Sequence, residues 1–255
     1  MRVLVTRPET EARRWVDELH RHGVDAVALP LIEIVPPGDS SSIRDAWTRL
    51  QQMRAVMFVS GNAVRHFFAQ APAQARWPAP VRAWATGGGT RDALLDAGVA
   101  ASAIDSPGAD AQQFDSETLW QQVGRQVAPA DHVMLVRGAD AGSVDNSREW
   151  LASQLAAAGA QVDIVVAYVR QASRLEAAQV AMAREAAGDG STWLFSSSQA
   201  IAHLRAALPQ QDWSQARAVA THPRIAHSAR QAGFGVVCES RPAVDAVVAA
   251  LESFR

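Results

Sequence analysis

Six short polar clusters and a lone tyrosine are the residues of this chain best suited to chemistry. The clusters are Thr6-Arg7, Ser60-Gly61-Asn62, Thr86 to Thr90, Arg137-Gly138, Ser196-Ser197-Ser198 and Thr221-His222. Each brings hydroxyls or free backbone N–H groups to the point where a predicted helix begins, and such helix ends hold anions such as carboxylates. Taken singly, each is equally an ordinary helix N-cap. Their recurrence is what points to a ligand site. Arg7, Arg137 and Arg224 are candidate carboxylate partners, or surface ion pairs. Tyr168 is the only tyrosine. Its phenol can donate a proton or a hydrogen bond to a leaving oxygen, or the ring can pack as core. Strict alternation along its strand puts Val166 and Tyr168 on one side.

Several chemistries are excluded. The net charge of −2 gives no global field for nucleic acid, so no nucleic-acid partner is expected. Gly87-Gly88-Gly89 fits neither G-x-x-x-x-G-K-[ST] nor G-x-G-x-x-G, which argues against a nucleotide. The seven histidines are scattered, with no H-E-x-x-H and no Cys/His cluster, so no metal site is expected. His222 is the histidine at a strand end and the candidate ligand contact among them. No G-x-S-x-G elbow marks a serine nucleophile. Cys238 stands alone, which rules out a disulfide framework and suits a reducing cytoplasm. Met1 to Arg7 reads as a strand without a signal-peptide pattern, and no apolar run approaches the roughly 18 residues of a membrane span.

The elements that must position these residues alternate strand and helix. Val3 to Val5 is a strand, and Ala12, Trp15, Val16 and Leu19 form one stripe of the helix that Gly23 closes. A second strand is expected from Val24 to about Val35, followed by the breaker cluster Pro36 to Ser42. Val56 to Val59, Val81 to Ala85 and His132 to Val136 are further strands, and a loop is expected between Gly98 and Asp115. After Gly159 comes the β-branched run Val162 to Arg170 that carries Tyr168, with the Ala-rich helix 173–187 beyond it. Trp193 to Phe195, Arg217 to Ala220 and Val236 to Cys238 are the last strands, each followed by a helix.

The two halves echo each other. Phe58, Ala63 and Val64 match Phe195, Ala200 and Ile201, with 195 − 58 = 137. Leu19 and Gly23 match Leu155 and Gly159, with 155 − 19 = 136. Arg82, Ala83, Ala85 and Thr86 match Arg217, Ala218, Ala220 and Thr221, with 217 − 82 = 135. Near-constant spacing over separated segments indicates an internal duplication. The expected fold is therefore α/β: two doubly wound parallel sheets, flavodoxin-like, with a cleft between them and ligands at the carboxyl edges of the strands.

At this point the residues resemble a known family. Leu4 to Pro8, Leu29 to Ile34, Phe58 to Val64, Gly87 to Thr90, Asp115 to Glu117, Val136 to Gly138, Val166 to Arg170 and His222 to Ala226 resemble segments of bacterial uroporphyrinogen-III synthases, in order and over essentially the whole chain. The resemblance implies interlocked lobes: 1–35 plus 170–255 in one, 36–169 in the other, joined by two bridging strands, with the active site between. It implies a cyclising lyase that takes linear hydroxymethylbilane, removes its hydroxyl as water and closes the macrocycle with inversion of ring D. It implies no metal or organic cofactor. Tyr168 would assist departure of the hydroxyl. Gly87 and Thr90 would form the family's glycine-x-x-threonine turn, and Ser60, Asn62 and Ala63 its Ser-x-Asn-Ala turn. His222-Pro223-Arg224 departs from the Gly-Pro-Thr form of some members. With Thr6, Arg7, Arg137 and Ser197, these are the expected substrate contacts. A monomer is expected, and a handover of substrate from the preceding deaminase is left open. The alternative from another class is a non-catalytic two-lobed protein that binds a small anion.

Overall fold

The computed structural model describes residues 2–107, 116–140 and 149–254. Asp115, part of one quoted segment, lies outside them. Chain contacts divide the protein into two units, Met1–Glu33 with Gln171–Arg255, and Ile34–Arg170.

In the first unit, β1 (Val3–Val5) leads into α1 (Glu9–Arg21) and β2 (Ala26–Ala28). Helix α1 forms because Ala12, Trp15 and Leu19 make one buried stripe, with Glu9 and Glu11 at its positive end and His20 and Arg21 at its negative end. Gly23 ends it in a left-handed conformation (φ +71), and Gly159, 136 residues on (159 − 23), does the same after a second helix (φ +82).

In the second unit, β3 (Ile32–Val35), α2 (Ser41–Arg49), β4 (Ala55–Phe58), α3 (Gly61–Phe68), β5 (Arg82–Ala85), α4 (Gly88–Asp96) and β6 (Ile104–Asp105) follow. Then come α5 (Ser116–Val123), β7 (His132–Asp140), α6 (Glu149–Ala157) and β8 (Gln161–Ala172). The chain completes the first unit with α7 (Ala177–Glu185), β9 (Thr192–Phe195), α8 (Ser198–Ala207), β10 (Arg217–Ala220), α9 (Pro223–Gln231), β11 (Val236–Glu239) and α10 (Val244–Glu252).

The first sheet has the order β11-β10-β9-β1-β2, parallel throughout. The second has the order β3-β8-β7-β4-β5-β6, with parallel pairing from β8 to β6. Reading β6-β5-β4-β7-β8 against β11-β10-β9-β1-β2 gives the same strand order twice, with β3 added at the edge of the second sheet. Parallel sheets are covered on both faces, and here each face carries its own packed cluster. On the second sheet, Val56, Phe58, Met134 and Val136 pack with α2 and α3 residues on one side; Met57, Leu135, Leu151 and Leu155 pack on the other. In the first unit, Val3, Val5, Leu19 and Leu194 pack with Val247 and Leu251 of α10.

Two expectations need correction. The run from Val24 to Val35 is not one strand. It breaks at Leu29-Pro30-Leu31, and its two parts belong to different sheets. Pro30 has no N–H to give a ladder, while Leu29 and Leu31 donate to the Val5 and Thr6 carbonyls on either side of it. The stretch after Gly98 is not all loop, because Ile104 and Asp105 add β6 beside β5. Two residues are too few to show a period of two.

Candidate functional site

In each unit the strand-to-helix turns fall at the carboxyl edge of a parallel sheet. In the second unit, β4 ends at Phe58, and Ser60 follows at the start of α3. The Ser60 backbone is extended (φ −166), and its Oγ accepts the Ala63 N–H at 3.1 Å, capping α3. The same Oγ lies 3.1 Å from the phenolic oxygen of Tyr168. The only tyrosine thus meets the N-cap serine 108 residues away (168 − 60).

A β-bulge brings it there. In the ladder between β7 and β8, Arg137 faces Val166 but Gly138 faces Tyr168, so Ala167 is the extra residue. Strict alternation, which would pair Val166 with Tyr168, fails at this point. Tyr168 instead joins Val165 and Ala167 in the cluster that also holds Phe58, Val64 and Phe67. Its side chain is 3% exposed. The ring of Tyr168 is thus part of the core, and its hydroxyl meets a polar partner at the sheet edge.

Gly138 makes the space. A Cβ there would sit 2.4 Å from Cε2 and Cζ of Tyr168 and 2.9 Å from its oxygen. On α3, His66 lies near the same ring, centroids 5.7 Å apart at 32°. Partial burial, and then the charge of Arg65, push the His66 imidazole below its ordinary range, which favours the neutral ring. His66 was not singled out from the sequence. It lies six residues along the helix from Ser60 and meets Tyr168 only through the fold, so no local signal could have marked it.

The other expected contacts in this unit divide by exposure. Asn62 Oδ1 accepts from Arg65 at 2.8 Å. Gly87 is the extended N-cap of α4 and has no side chain to close it, which leaves backbone N–H groups at that helix end. Thr86 Oγ1 donates to the Val59 carbonyl at 3.2 Å. Thr90 is buried at 6% exposure inside α4. Arg137 is half-buried, and its Nε has no hydrogen-bond partner among the described residues.

In the first unit, Thr6 is 1% exposed and its Oγ1 donates to the Leu194 carbonyl at 2.8 Å, bolting β1 to β9. The proton of that hydroxyl is engaged by the Leu194 carbonyl. Arg7 follows, with its guanidinium 4.4 Å over the Trp15 ring. Burial lowers its pKa to about 10, against the opposing pull of the Glu11 carboxylate, so it remains a cation at neutral pH. Ser197 caps α8 through Gln199 N–H at 3.1 Å. His222 caps α9, its Nδ1 accepting the Arg224 N–H at 3.1 Å. The imidazole thus serves at the N-cap, as the serine hydroxyls do at α3 and α8. His222 and Arg224 side chains are both exposed.

Among the described residues no group of three or more His, Cys, Asp or Glu could hold a metal ion, and no helix is long and apolar enough to cross a membrane. The arrangement offers hydroxyls, amide N–H groups, guanidinium groups and one phenol. These groups bind carboxylates and donate protons.

Residues 13–249 match the family model described as uroporphyrinogen-III synthase. The chain is 29% identical over 239 residues to a uroporphyrinogen-III synthase of Salmonella typhimurium, covering 92% of each chain. It is 34% identical over 101 residues to one from Chlorobaculum parvum, covering 38% of this chain and 39% of that one. Its fold is similar to crystal structures of uroporphyrinogen III synthase from Thermus thermophilus (TM-score 0.56, 15% identity, 100% and 98% of the two chains) and of the synthetase from Helicobacter pylori (TM-score 0.57, 16% identity, 100% of both). The chain belongs to the uroporphyrinogen-III synthase family.

Proposed function

We propose that this protein cyclises hydroxymethylbilane to uroporphyrinogen III, with loss of water and inversion of ring D. Family membership supports the reaction. The observation that carries the chemistry is the Tyr168 hydroxyl, 3.1 Å from Ser60 Oγ at the edge of a parallel sheet. Departure of hydroxide from a carbon that becomes an azafulvene cation needs a proton donor at the leaving oxygen. Ser60 Oγ accepts the Ala63 N–H, and one of the two hydroxyl protons bridges the pair, so the other can be directed at that oxygen. Closure at the inverted ring carbon then requires the chain to be held bent, because uncatalysed closure gives the uninverted isomer.

In this reading Arg7, Arg137 and Arg224 offset the carboxylates of the substrate. Ser60, Asn62, Gly87, Ser197 and His222 supply hydroxyl, amide or backbone donors. Thr6 and Thr90, both buried, shape the turns that present those donors. The reaction uses no cofactor, and the protein acts as a cytoplasmic monomer that takes its substrate in solution or from the preceding deaminase.

The test adds the purified protein to freshly generated hydroxymethylbilane and resolves the oxidised products by isomer. Type III product is expected, and Tyr168→Phe is expected to lower turnover more than stability. Type I product alone would leave a protein that binds an anion without catalysing closure.

A further inference from the structure

Two buried polar atoms at the carboxyl edge of the first sheet have no hydrogen-bond partner among the described residues: Arg7 Nε and Ser196 Oγ. Their places in the sheet are linked. β1 and β9 are parallel neighbours with Val5 opposite Leu194, and the Thr6 N–H carries the pairing onward to the Leu194 carbonyl. Arg7 and Ser196 each stand two positions beyond that pair. Continuing that register past the strand ends sets Arg7 and Ser196 at adjoining positions, and the Arg7 guanidinium lies over Trp15, which packs in the cluster of Val5 and Leu194.

The second sheet repeats the position. Met57 pairs with Leu135, and two positions on stand Val59 and Arg137. Arg137 Nε is again buried without a partner. Val59 packs against the apolar cluster on that face. Trp15, beneath Arg7, corresponds to Leu151 at 151 − 15 = 136. An arginine with an unsatisfied Nε at the same place in both repeats is unlike chance packing, since native proteins pair almost all such buried donors. In the first repeat an aromatic ring lies under the guanidinium, and a serine stands at the register position where the second repeat has Val59.

We infer that Arg7 and Ser196 form a seat for one carboxylate of the ligand, with Arg137 as its simpler counterpart in the other repeat. The guanidinium offers parallel N–H donors whose geometry matches a carboxylate, and the serine offers one more. Glu11 is the nearby carboxylate that an incoming one must displace or share with. The identity of the ligand rests on the proposed function; the existence of the seat does not.

The test uses uroporphyrin III, an oxidised polycarboxylate product that quenches tryptophan fluorescence on binding, so turnover is not required. Ser196→Val installs the counterpart's residue. It is expected to weaken uroporphyrin binding about three- to tenfold and to leave the melting temperature unchanged or raised, since an unsatisfied buried hydroxyl is removed. Arg7→Gln is expected to weaken binding more than tenfold and to reduce its salt dependence. Unchanged binding in Ser196→Val would overturn the seat. So would a lowered melting temperature in that variant, which would make the hydroxyl structural. Failure of the wild type to produce the type III isomer, with porphyrin binding intact and sensitive to Ser196, would reject the catalytic reading and leave the seat standing.

Discussion

Gly138→Ala tests how the fold aims its phenol. The added Cβ would lie 2.4 Å from two ring carbons of Tyr168 and 2.9 Å from its oxygen, well inside contact distance. The ring cannot simply retreat. It is 3% exposed, packs with Val165 and Ala167, and has His66 on α3 as a ring neighbour. Overpacking of this kind costs about 1–3 kcal/mol. Moving the hydroxyl off Ser60 loses a hydrogen bond worth roughly 1 kcal/mol. The sum, about 2–4 kcal/mol, corresponds to a fall in melting temperature on the order of 5–15 °C. Turnover is expected to fall in the variant to nearly the level of Tyr168→Phe. The double variant Gly138→Ala/Tyr168→Phe is expected to turn over scarcely more slowly than either single, because both act through one hydroxyl. Thermal melts and isomer-resolved rates on the four proteins decide it. A Gly138→Ala protein with wild-type stability and wild-type type III formation would refute the reasoning, as would rate losses that multiply in the double variant.

Ser60→Ala removes both the cap acceptor for Ala63 N–H and the partner of Tyr168, so urea melts should show a loss of about 2–3 kcal/mol. Ser197→Ala removes a cap alone and should lose about 1 kcal/mol; equal losses would deny the extra bond at Ser60. His66 is held below its ordinary value of 6.5, chiefly by burial, so the unfolded chain binds its proton first as pH falls. Its contribution therefore erodes stability as pH drops through 6.5 and levels off below the lowered folded value. Melts from pH 8 to 5 should flatten in His66→Asn relative to wild type, and an unchanged pH slope would count against it. A Cβ at Gly235 would lie 1.9 Å from the Ser214 carbonyl oxygen, a backbone atom that cannot rotate away. Gly235→Ala should displace β11 from β10 and cost about 3 kcal/mol or more, read as lost soluble yield or an early melt.

Much of this fold was legible before any coordinates. The stripe Ala12, Trp15, Val16 and Leu19 and the closing Gly23 are local signals; α1 buries Ala12, Trp15 and Leu19, half-buries Val16 and ends at Gly23 in the left-handed conformation. The serine turns were legible for the same reason, since an N-cap is a property of four consecutive residues; Ser60 and Ser197 both cap. His222 stood out only as a strand-end histidine. That its ring accepts the Arg224 N–H required its backbone conformation.

Sequence alone determined the alternation of strand and helix, the echo at 135 to 137 residues, and the family resemblance, because periodicity, caps and breakers act over a few neighbouring residues. Tertiary structure decided which strands adjoin, that Pro30 divides one apolar run between two sheets, and that a bulge at Ala167 turns Tyr168 onto Ser60 past a bare Gly138. Those outcomes depend on contacts between residues far apart in the chain. Pairing register, a one-residue bulge and the space left by a missing side chain leave no local pattern; they exist only once β7 and β8 lie side by side.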